Sequence, residues 1–151
     1  MTRVDTLATA IGRGLVAGLA GTAAMTVSST LEARLRRRAP STAPARATAK
    51  VLGIASFDSD LAQARWNDIS HWGYGTGWGV LRGLLGATPL SPRTATLAHG
   101  AAIYGAAQVT LPALEIAPPS VFWGAREVAI DALHHAVYAA ATGAAYAAIT
   151  A

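Results

Sequence analysis

GLVAGLAGTAAMTVSSTL, residues 14–31, runs for eighteen positions without a charged side chain. A helix needs roughly 20 mainly apolar residues to cross about 30 Å of hydrocarbon. Two further stretches read the same way: TATLAHGAAIYGAAQVTLPAL at 94–114 and the charge-free run at 132–151. A fourth is interrupted. Residues 69–81 carry no charge, Arg82 follows, and GLLGA continues to Ala87. The reading is an all-α membrane protein, a bundle of four transmembrane helices over about 7–31, 67–87, 94–114 and 128–151. Arg82 is expected to snorkel toward an interface.

The composition agrees. Of 151 residues 52% are hydrophobic and only 13% charged, against about 25% charged in soluble domains. The length suits a single transmembrane domain, 1–151. A soluble, Ala-rich bundle would need charged outer faces, and these helices have none. A cleaved signal peptide over 1–24 is disfavoured, because an Arg-rich run follows the apolar stretch as in a stop-transfer segment. Cysteine is absent, which excludes disulfides, iron–sulfur clusters and thiolate zinc sites.

Charge sets the orientation. Arg34, Arg36, Arg37, Arg38, Arg46, Lys50 and Arg65 place seven of the twelve basic residues in the connection 32–65. Arg3, Arg93 and Arg126 are thinly spread over the other connections. By the positive-inside rule the 32–65 loop is cytoplasmic, 115–127 is cytoplasmic again, and both termini lie outside. The same clustering argues against a nucleic-acid partner. Pro, Ser, Thr and Ala dominate 39–48, which reads as flexible. Residues 60–65 read as a short helix leading into the second span, with Asp60 as N-cap.

The spans are rich in Gly and Ala rather than Leu. Gly75, Gly79 and Gly83 form one ridge, Gly14 and Gly18 another, and Ala139, Gly143 and Ala147 a third. In lipid such ridges hold helices together by close packing; one of them could also serve a homo-oligomer.

Ionisable residues at membrane depth are costly and face inward. Glu127, Asp131 and His135 are spaced by four, with His134 three after Asp131 and Tyr138 three after His135, so the fourth span opens on one polar stripe. By helical rise, His71, Gln108 and the Ser28 and Ser29 hydroxyls reach the same depth. The intramembrane polar cluster is therefore His71, Gln108, Glu127, Asp131, His134 and His135. Arg13, Arg82 and His99 form a second, more positive cluster in the outer half. The first cluster can be a self-neutralising polar core, a proton or ion site, or a metal or haem site with Asp131, His135 and His71 as ligands. HExxH and repeated Glu-x-x-His motifs are absent. No nucleophile elbow frames Ser28 or Ser29, and the Gly run at 73–79 lacks the Lys-Ser/Thr of a phosphate loop. No cofactor is expected, and no catalytic residue stands out.

The stretch LPALEIAPPSVFWGAREVAIDALHHAVY, 111–138, resembles the YagU-like bacterial inner-membrane proteins, a family of unassigned activity. It shares a Pro-Leu end to a span (Pro112, Leu114), a double proline (Pro118, Pro119), and the acidic, acidic, His series of Glu127, Asp131 and His135. GLVAGLAG looks like that family's first span, and His71 matches a His there. The chain departs from the pattern in being shorter and in its Arg-rich residues 34–38. The resemblance implies an inner-membrane location and a link to acid stress, with no substrate.

The expected function is handling of protons, ions or a small solute within the bundle, with Asp131 and His135 exchanging and Glu127 as entry. A second class is a non-catalytic subunit or assembly factor that binds another membrane protein through its Gly ridges. A haem or metal protein is the third.

Overall fold

Charge-free, Gly- and Ala-rich runs without interior β-branched clusters form helices here, and little else. The computed structural model describes residues 3–151, with side chains from Val4 onward; Met1, Thr2 and the Arg3 side chain lie outside the described residues. Five α-helices follow one another: α1 Arg3–Leu35, α2 Ala43–Val51, α3 Asp60–Gly86, α4 Pro92–Ala113 and α5 Ala125–Thr150, with a 3-10 turn Ser120–Phe122 before α5. The fold is an all-helical bundle. Among the described residues one helix, Val4–Leu35, is long and apolar enough to cross a membrane by length and composition. In α4 and α5 the residues His99, Gln108, His134 and His135 dilute the alanines, and in α3 Arg65, Asp68 and Arg82 do the same.

The sequence boundaries shift. Residues 60–65 are not a separate helix but the first turns of α3. Its N-cap is Ser59, whose Oγ accepts from the Ala62 N–H, so Asp60 sits one position inside, where a carboxylate favours the helix dipole. Ser91 caps α4 in the same way, with Pro92 at the first helical position. The stretch 39–48, expected to be flexible, is partly ordered as α2. Pro44 stands in its first turn, and Ala45 and Ala49 are buried where α2 lies along α3. The Trp66 indole N–H donates to the Ala45 carbonyl at 3.1 Å, and the Thr48 and Ser70 hydroxyls meet at 2.8 Å. α1 and α4 end on left-handed residues, Arg37 (φ 51°) and Glu115 (φ 54°).

Close approach decides the packing. α1 runs antiparallel to α3, and the two glycine ridges meet. A Cβ built on Gly18 would lie 2.6 Å from the Thr76 carbonyl oxygen and 2.8 Å from the Gly79 Cα; one on Gly79 or Gly83 would strike the Gly14 or Ala10 carbonyl. Any side chain there forces the helices apart. α5 packs against the other side of α1, with Gly21 under Tyr138 and Thr142. α4 joins through α5, where Gly143 faces Thr96 and a Gly100 Cβ would lie 3.0 Å from the Ala139 Cβ. The four long helices thus alternate in direction.

The distribution of residues is inverted relative to a water-soluble bundle. The largest fully buried side chains are Arg82, His99, Thr22 and Thr142, and seven of the ten buried hydrophobics are alanines: Ala10, Ala17, Ala33, Ala45, Ala49, Ala95 and Ala139. Leu7, Ile11, Leu15, Val16, Leu19, Val27 and Leu31 of α1 are exposed, as are Leu97, Val109 and Leu133.

Candidate functional site

The C-terminal ends of α1 and α4 and the N-terminal ends of α3 and α5 come together, with α2 and most of the basic residues. At this basic end the single stripe expected from sequence divides among three seams. Successive residues on a helix point about 100° apart, so His134 and His135 face different neighbours. His135 faces α4. Its Nδ1 lies 2.8 Å from the Asp131 carbonyl oxygen and 3.5 Å from the Asp131 Oδ1, and its ring meets Tyr104 edge-on at 5.4 Å. The Gln108 amide donates to the Asp131 Oδ2 at 3.2 Å. Asp131, His135 and Gln108 therefore do come together, at the α4–α5 seam. With Nδ1 donating to the carbonyl, Nε2 is the proton-accepting atom.

His134 faces α1 instead. Its Nδ1 is 2.8 Å from the Ser28 hydroxyl, and its Nε2 is 3.8 Å from a Glu32 carboxylate oxygen. This Nε2 is buried without a hydrogen-bond partner. His71 is on a third seam: its Nε2 meets the Thr26 hydroxyl at 2.8 Å, while Thr26 donates to the Thr22 carbonyl at 2.7 Å. The ligand set Asp131, His135 and His71 is not assembled, and among the described residues no group of three His, Asp or Glu converges on a metal-sized point.

Glu127, expected as the entry to Asp131 and His135, pairs with Arg36 rather than with either of them. Arg36, the residue after the end of α1, clamps it through both Nη atoms and also binds Glu32 at 2.9 Å. Arg38 binds Glu32 as well. The Arg38 hydrogen bonds, joined by those of Arg36, hold the Glu32 carboxyl down at about 2, against the opposing effect of desolvation. Arg36 likewise keeps Glu127 below the usual carboxylate range, and Lys50, 2.7 Å from Glu115, does the same there. The Arg36 guanidinium is in turn raised by Glu127 and Glu32.

Further in, polar groups occupy the core. The Tyr138 hydroxyl donates to the Gly75 carbonyl at 2.5 Å. His99, fully buried, places Nε2 3.0 Å from the Trp78 carbonyl and packs its ring 5.7 Å from that of Tyr138. His99 Nδ1 and Thr142 Oγ1 have no partner. At the far end Arg82 is enclosed rather than extended along the outer surface. Its guanidinium lies over the Tyr146 ring, 4.3 Å from the centre. Arg13 is exposed near it, and His99 stands deeper, against Trp78. Sequence reasoning overlooked Tyr146 and Tyr104. The signal was present: Tyr146 is two turns beyond Tyr138 on one face of α5, and Tyr104 is four before Gln108 on α4.

Scans of the chain against protein-family models, curated proteins and solved structures find no match.

Proposed function

We propose that this chain is a multi-pass membrane protein, of the bacterial cytoplasmic membrane, that takes up and releases protons through imidazoles held inside its helix bundle. The observation that carries the reading is the inverted distribution: Arg82, His99, Thr22 and Thr142 fully buried, leucines and valines outward. Water would reverse that order. A lipid surround favours it, because ionisable groups then belong in the bundle interior and small residues hold the helices. The charge asymmetry supports four spans with the basic end in the cytoplasm.

Three imidazoles and their neighbours line the core in sequence of depth: His134 with Ser28, His71 with Thr26, and His99 against Tyr138. Histidine changes charge near neutral pH. Asp131 and His135 stand at the basic mouth, 3.5 Å apart, where the Gln108 amide donates to the Asp131 carboxyl. The test is an acid pulse given to proteoliposomes loaded with a pH dye. The wild type is expected to acidify the lumen; Asp131→Asn and His134→Gln, folded by circular dichroism, should slow it about tenfold or more. Wild-type vesicles as tight as protein-free ones would sink proton transfer but leave the membrane reading standing. That reading has its own check: an external thiol reagent should label Ala151→Cys in cells and miss Ser41→Cys.

A second reading, a subunit that docks on another membrane protein or on its own copy, is favoured by Gly73 and Gly77. These lie four apart on α3, are exposed, and have open space where a Cβ would stand. A partner that co-purifies with the wild type and is lost on Gly77→Leu would favour this reading.

A further inference from the structure

Arg82 is the largest of the fully buried side chains, 2% exposed, and among the described residues no carboxylate forms an ion pair with it. Its Nε and Nη1 have no hydrogen-bond partner. Tyr146 attracts the cation through its ring face but leaves those N–H groups unused. The C-terminal carbonyls of α3 and α5 favour a cation at this end, yet they accept nothing from Nε or Nη1. A buried charge normally comes with a paired group.

The missing group has room. Beside Arg82 lies a cavity of about 370 Å³, lined by Arg82, Arg13, Pro92, Tyr146, Thr150 and, at the chain's last residue, Ala151, and by no acidic side chain. Of the eight acidic residues, Glu32, Asp58, Asp60, Asp68, Glu115, Glu127 and Asp131 belong to the basic end. Asp5 is two turns before Arg13 on α1 and is not part of the lining. Among the side chains that line this cavity, the charged ones, Arg13 and Arg82, are both positive.

We propose that this pocket binds a phosphate group, gripped between the Arg82 and Arg13 guanidinia. A guanidinium presents a planar fork that pairs two oxygens at once. Two forks from different helices suit an anion whose oxygens point tetrahedrally to different sides, as those of a phosphate do and the coplanar pair of a carboxylate does not. The phosphate comes either from inorganic phosphate in the water or from the headgroup of an anionic lipid, whose chains would pass the apolar rim at Leu90 and Ala147. The lipid source rests on the membrane reading; the inorganic one does not.

The experiment uses the full chain in an uncharged, phosphate-free detergent, followed by thermal melting and native mass spectrometry. The probes are sodium phosphate, sodium chloride at matched ionic strength, a short-chain phosphatidylglycerol, and a diacylglycerol of the same chain length. Phosphate or phosphatidylglycerol should raise the melting temperature saturably, beyond chloride and diacylglycerol. If phosphatidylglycerol acts at tenfold lower concentration than phosphate, the source is lipid; if it adds nothing to phosphate, the source is the free ion. Arg82→Gln should weaken binding by more than about tenfold, and Arg13→Gln by about tenfold, the worth of one charge-assisted hydrogen bond. Arg13 is exposed, so its variant folds even if Arg82→Gln does not. No shift beyond chloride with either probe, or equal shifts in wild type and Arg13→Gln, would overturn the proposal.

Discussion

The two ends of this bundle treat charge in opposite ways. At the basic end four carboxylates are answered within the chain: Glu32 by Arg36 and Arg38, Glu127 by Arg36, Glu115 by Lys50, Asp131 by Gln108 and His135. At the far end Arg82 is buried with two nitrogens unanswered. The first arrangement is a set of self-neutralised pairs in or near water, which individually contribute little. The second keeps a cation at high cost for something outside the chain. These four carboxylates of one end are answered within the chain, leaving the His134 Nε2 as a buried imidazole nitrogen without a hydrogen bond, whereas at the other end an unanswered buried cation marks a binding role.

The largest effect on that contrast should come from the seam that joins the two ends. Gly79→Leu puts a side chain into the Gly14 carbonyl, so α1 and α3 separate and both ends lose their frame. Loss of most folded protein in a detergent melt is expected, and an unchanged melt would mean the seam is not as close as described. Gly143→Leu meets the Thr96 side chain, which can turn aside, and should cost less.

Next is Arg82→Met, read in anion-free detergent. Methionine keeps length and apolar bulk while deleting an unpaired charge. Melting should be unchanged or higher, as when buried charges give way to apolar residues, by up to about 1–4 kcal/mol. A marked loss would mean that Arg82 is already satisfied within the chain, and the contrast between the ends would collapse.

The smallest effect belongs to Glu32→Gln. Because the folded-state value of Glu32, about 2, lies below its ordinary 4.5, its contribution is present above pH 4.5 and fades as pH falls toward 2. The variant should melt slightly below wild type at pH 7, and the two curves should converge near pH 2. A gap that persists at low pH would show that packing, not charge, holds this network.

The four long helices were legible because absence of charge over about twenty residues is a strong one-dimensional signal. α2 was not, since a Pro, Ser, Thr and Ala stretch has no interior preference until Ala45 and Thr48 find Trp66 and Ser70 on α3. The meeting of Asp131, His135 and Gln108 was legible from spacing and depth. The parting of His134 and His135 was not, because it depends on which helix stands on either side of α5. Arg82 was legible as a costly group and misread as one that escapes to an interface. Only the position of Tyr146, fixed by the packing of α5 on α3, shows it enclosed.

Tyr138 reaches the Gly75 carbonyl and Tyr146, by a long 3.4 Å contact, the Gly83 carbonyl. The donors and the acceptors are each eight residues apart, on two helices that run the same way. This pair works as a two-pin key. A slide of α5 along α3 by one helical turn, about 5.4 Å, would pull both pins at once, whereas a small rotation of α5 about its own axis strains each only slightly. A displacement of α5 that linked the basic mouth to the proposed phosphate pocket would therefore travel as torsion rather than as a piston stroke.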